Sequence, residues 1–229
     1  MGEYFTIALV PLTLTLCAYQ LGAWIQKKFR SPLLNPILIS VALILAFLAA
    51  TGMDTATYQS GMQVLSWLLT PATICLAIPL YQQFSQLKKD LPGILAGIAA
   101  GTVASLGFVV AWSMLFRYDR ALMMSLLPKS VTSAIGVPLA EMGGGISPIT
   151  TTAIILTGIL GSLLGPALCK LFRLKKDTAR GVAFGTAAHV IGTTKANEMS
   201  PLTGAVSSLS LVIAGLMTAV LFPLLLQFL

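Results

Sequence analysis

The sequence predicts an all-α polytopic membrane protein with about six full spans, two broken or re-entrant helical segments and a possible inverted repeat, in one transmembrane domain over 1–229. Three observations predict it. Hydrophobic side chains make up 56% of the 229 residues and charged ones 9%, against a usual charged share near 25%. Too few polar groups remain to cover a water-soluble core. Six uncharged stretches each exceed the ~20 residues that cross about 30 Å of hydrocarbon as a helix. Two further stretches are apolar but punctuated by proline, charge or many small residues.

The six spans are expected over 4–26, 31–53, 55–87, 91–116, 142–169 and 199–229. Met1-Gly2-Glu3 supplies no basic region before the first run, which is therefore expected to be a span rather than a cleaved leader. Cationic loops stay on the cytoplasmic side. Lys27, Lys28 and Arg30, then Lys88 and Lys89, then Lys170, Arg173, Lys175, Lys176 and Arg180 therefore place three loops inside and the N-terminus outside. An odd number of crossings must separate Arg120 from Lys170.

That parity predicts a re-entrant hairpin over 121–147. Pro128 and Pro138 cannot complete a helical ladder, and Gly143-Gly144-Gly145 offers a turn. A second hairpin, entered from the cytoplasm, is expected over 181–199. Thr70-Pro71-Ala72-Thr73 with Pro79-Leu80 echoes Leu127-Pro128-Lys129-Ser130 with Pro138-Leu139, as paired broken helices do in inverted-repeat carriers. Gly93, Gly97 and Gly101, then Gly161 and Gly165, put small residues four apart. Such faces serve packing within the bundle or a homodimer.

Lys129 stands in an interrupted apolar segment, where an ammonium costs about 3 kcal/mol unless an anion, carbonyls or water meet it. Ser130, Thr132 and Ser133 add hydroxyls, and a helix restarting there would aim amides into the same space. A small carboxylate would satisfy them all; pairing with Glu141, or snorkelling to an interface, is the alternative. The second constellation runs from Gly185 to Glu198 around His189, the chain's one histidine, with Gly192, Thr193 and Lys195 as further candidates. His189 or Glu198 could carry a coupling proton, and Lys195 and Glu198 are spaced to pair.

Other classes are excluded by what is missing. No hydrolase, nucleotide-binding or metal-ligand motif occurs, so no enzyme, cofactor or metal is expected. The net charge of +7 lies in short clusters without interleaved aromatics, which argues against nucleic acid.

Ser31-Pro32-Leu33-Leu34-Asn35-Pro36, Leu127-Pro128-Lys129-Ser130-Val131-Thr132, and Gly185-Thr186-Ala187-Ala188-His189 through Gly192-Thr193-Thr194-Lys195-Ala196 resemble the LrgB/CidB family over nearly the whole chain. The resemblance implies an integral protein of the bacterial inner membrane that works with a smaller LrgA/CidA-type membrane protein. It also implies one of two activities: antiholin-like regulation of murein hydrolases, or movement of small monocarboxylates such as pyruvate, glycolate or glycerate. Carried over by position, its motifs fall on Asn35 and Pro36, on 128–132 and on 189–195. The expected function is secondary transport of a small monocarboxylate, with holin-like or antiholin-like control of autolysis as the alternative.

Overall fold

The computed structural model describes residues 2–29, 36–75 and 77–229. Among the described residues the regular structure is all helix, in eleven helices, and the protein is an all-α membrane protein. Two compact units divide the chain, Met1–Cys75 and Leu76–Leu229.

In the first unit, α1 (Gly2–Phe29) carries Pro11 inside it, and Thr15 Oγ1 donates to the Pro11 carbonyl at 2.7 Å. α2 (Pro36–Thr51) opens on a proline, which suits a first helical position. Its 16 residues reach about 24 Å. Asn35 lies outside the described residues. Asp54 caps α3 (Thr55–Gly61), taking a bond from the Ala56 amide, and α4 (Gln63–Cys75) follows.

One crossing was expected over 55–87, and within the first unit that stretch is divided. α3 ends at Gly61 and α4, which starts at Gln63, carries Pro71 inside it; α5 (Ala77–Gln82) belongs to the second unit. Hydropathy reports only that a stretch is apolar and gives no sign of the break after Gly61.

The second unit holds three helices long and apolar enough to cross a membrane: α6 (Phe84–Leu115), α9 (Ser147–Leu171) and α11 (Pro201–Leu226). Between them lie two helical hairpins. Hairpin 1 is α7 (Arg120–Leu126), a turn over 127–132, and α8 (Ser133–Met142). Its legs lie side by side: a Cβ built on Gly136 would lie 3.2 Å from the Pro128 carbonyl, and one on Gly143 would meet the Met124 side chain. The Ile146 amide returns to donate to Ser125 Oγ at 2.7 Å.

Hairpin 2 is α10 (Asp177–Met199), helical on both sides of His189. A straight helix of its 23 residues would hold its ends about 35 Å apart. Instead Ser200 Oγ donates to Asp177 Oδ2 at 2.9 Å, and Gly192 packs on Phe184 and Ala188. The chain reverses at His189, whose φ of 41° and ψ of −136° belong to a position that glycine usually takes in tight turns. Both expected hairpins are present, with one correction. Pro138 rides inside α8, and the break lies at Pro128–Thr132 alone.

Glycine contacts give the helix directions. Gly158, Gly161 and Gly165 of α9 meet His189, Ala188 and Phe184 in turn, so α9 is antiparallel to the first leg of hairpin 2. Gly97 and Gly101 of α6 meet Val182 and Thr186, and Gly181 and Gly185 meet Val206 and Ser210, so α6 and α11 run parallel to that leg. Gly97, Gly101, Gly161 and Gly165 thus serve packing within the chain. The hairpins are also framed alike. Leu115-Phe116-Arg117 precedes the first and Leu171-Phe172-Arg173 the second, each with its Arg at a φ of 53°. Tyr118 N reaches Ser113 O and Leu174 N reaches Cys169 O, the same helix-ending turn twice. Ser147-Pro148 then opens α9 and Ser200-Pro201 opens α11. The repeat therefore consists of a hairpin followed by a span, and its second copy is inverted.

Candidate functional site

The two tips converge beside the middle of α9. Gly136 of hairpin 1 packs on the Ile154 side chain, while His189 Nε2 lies 2.9 Å from the Ile154 carbonyl. A carbonyl oxygen only accepts, so Nε2 carries the proton. His189 is 4% exposed, and its ring fills the space over Gly158. Behind it Thr193 Oγ1 donates to the His189 carbonyl at 2.9 Å, which leaves Ser207 Oγ of α11 to donate to Thr193 Oγ1 at 2.8 Å. The polar groups of this tip are thus spent on one another, as irregular backbone at membrane depth requires.

Hairpin 1 leaves its tip less satisfied. Lys129 is half-buried, with Nζ 3.1 Å from Ser130 Oγ and 3.5 Å from Ser105 Oγ of α6. Those hydroxyls lie 2.9 Å apart. Glu141 does not serve as counter-ion: it accepts from Ser147 Oγ, and among the described residues the ion pairs are Arg180–Asp177 and Lys195–Glu198. An ammonium has three donors. Two hydroxyls, one at the limit of bonding distance, leave room for an anion.

A small cavity with room for about one water adjoins Ser130 and Ser105, the two hydroxyls that meet this amine, while Lys129 itself does not line it. Its walls are Pro128, Ser130 and Val131 from the tip, Thr102 and Ser105 from α6, Thr186 from hairpin 2, and Thr218 from α11. Thr102 and Ser105 share a helix face because they are three apart. Thr186 and Thr218 donate back to the Val182 and Ala214 carbonyls. Thr102 Oγ1 is the exception: the residue is 4% exposed, and the hydroxyl has no hydrogen-bond partner. A buried unpaired hydroxyl costs about 1–3 kcal/mol. α8 begins just beyond Val131, and Thr132 makes no side-chain cap to its first amides. Its positive end therefore adds to the field at the tip.

Lys129 and Ser130 are thus brought together with two α6 hydroxyls that the sequence reading missed. Thr132 and Ser133 flank them at the start of α8. His189, Gly192 and Thr193 form the other tip, and neither His189 nor Lys129 lines the cavity. Lys195 and Glu198 stand near the base of hairpin 2, paired at 2.6 Å with the Glu198 side chain 61% exposed. The signals for what was missed are the Thr102/Ser105 spacing and the Thr203, Ser207, Ser208 and Ser210 hydroxyls in so apolar a final span.

The LrgB-like family model matches residues 15–228. The chain is 36% identical to the holin-like protein CidB of Staphylococcus epidermidis, covering 98% of both chains. It is 35% identical to the antiholin-like protein LrgB of Bacillus subtilis, covering 99% of this chain and 96% of that one. No solved structure matches.

Proposed function

The chain belongs to the LrgB-like family, and we propose that within that family it is a secondary carrier of small monocarboxylates, with no catalysis of its own. The observation that carries this reading is Lys129, held at a hairpin tip without a counter-ion among the described residues, on two hydroxyls that also line a cavity holding the unpaired Thr102 hydroxyl. A 2-oxo or 2-hydroxy acid such as pyruvate would set its carboxylate on Lys129, Ser130 and the first amides of α8. Its second oxygen would take the Thr102 hydroxyl. Hairpins attached to opposite ends of α9 and meeting at their tips suit a site that opens to one side at a time. A coupling proton on His189 or Glu198 belongs to the same proposal. So do a bacterial inner-membrane location with the N-terminus outside and work with an LrgA/CidA-type partner. Counterflow of labelled pyruvate in proteoliposomes tests it. Equal counterflow by the parent protein and Lys129→Met would sink the site.

The relatives' names favour a second reading, holin-like or antiholin-like control of murein hydrolases through that partner. Liposome leakage separates the two. A lesion releases a dye much larger than pyruvate, whereas a carrier retains it.

A further inference from the structure

The second unit carries a groove that plays no part in the tip chemistry. It runs between α9 and the first leg of hairpin 2, walled by Gly161, Gly165 and Leu168 on one side and Ala183 and Ala187 on the other. From Gly161 to Phe172 it follows α9 for about 16 Å. It is almost wholly apolar, and Ala187 is exposed along it. The inner end reaches Ala188, next to His189, and the outer end is bounded by Phe172 and Leu174.

The outer end is where the lysines and arginines gather. Lys170, Arg173, Lys175 and Lys176 are all exposed. Among the described residues none of the four forms an ion pair, because Asp177 is taken by Arg180 and by Ser200. Elsewhere Lys28 lies over the Trp24 ring and Lys88 over the Phe84 ring. We infer that this groove binds an anionic phospholipid, one acyl chain lying between α9 and hairpin 2 and the phosphate resting on the 170–176 cations. A partner's transmembrane helix would use the apolar walls without needing the charge. The pairing of both features at one groove favours lipid.

Binding is read on the full-length protein in detergent, by quenching of a tryptophan placed in the groove (Leu168→Trp) with brominated phosphatidylglycerol or brominated phosphatidylcholine. Phosphatidylglycerol is expected to quench at far lower concentration. Lys175→Gln with Lys176→Gln should weaken it about fivefold for each lysine, while Lys170, Arg173 and Arg180 keep the loop cationic. Ala187→Phe fills the groove and should abolish quenching by both lipids; Ala187→Leu replaces it if that variant does not fold. Equal potency of the two lipids, or unaltered phosphatidylglycerol binding by the double glutamine variant, would overturn the inference. So would protection of the groove only when a protein partner is co-purified.

Discussion

The two hairpins answer one problem in opposite ways. Each must turn at membrane depth, where every exposed backbone group costs several kcal/mol. Hairpin 1 takes six residues over 127–132, carries a cation without a counter-ion among the described residues, and sets Pro128, Ser130 and Val131 against a small cavity. Hairpin 2 turns on His189 alone, and its imidazole, backbone and neighbouring hydroxyls are bonded to one another and to α9. Within one inverted repeat, one tip is left with chemistry to offer and the other is closed.

The sharpest way to break this comparison is at Lys129. Lys129→Met should reduce pyruvate counterflow on the order of a hundredfold, about 3 kcal/mol, with thermal stability in detergent unchanged. If hairpin 1 is merely structural, stability falls instead. Next comes the seam between α9 and hairpin 2. Gly161→Val would drive a side chain into Ala188 and should cost about 2 kcal/mol by overpacking, measurable as a lower unfolding midpoint.

His189 sharpens the contrast further. His189→Ala and His189→Gly both lose the bond to Ile154, but only glycine relieves the left-handed backbone. The glycine variant should therefore be more stable than the alanine variant by about 1–2 kcal/mol. Equal stabilities would mean that the turn is not strained. Thr102→Val gives the smallest effect. Removing an unpaired hydroxyl should raise stability by up to about 1 kcal/mol while weakening pyruvate binding about fivefold, read as a raised half-saturation in counterflow.

Much of this was legible in the sequence, for physical reasons that differ by element. Pro128 and Lys129 announce a break and a buried charge in the same place, so the first tip could be read directly. The second hairpin showed only as an excess of small residues. Its turn was invisible because a histidine with positive φ leaves no mark on composition. Pro138 misled in the other direction, since a helix that is packed on both sides tolerates one lost bond. The break after Gly61 also escaped, because mean hydropathy carries no information about continuity. Thr102 and Ser105 were hidden for another reason: hydroxyls in apolar helices commonly bond back to their own carbonyls, as Thr186 and Thr218 do. Only the fold shows which one cannot.

The Ser200–Asp177 bond has one more implication. A segment whose two ends touch adds no net displacement to the path of the chain, however many residues it holds. α11 therefore departs from the same membrane face at which α9 arrived, and the chain's final residues emerge on the far side from the lysine cluster. An insertion that is deep in space but null in topology lets a protein acquire a mid-bilayer site without reversing any of the spans around it.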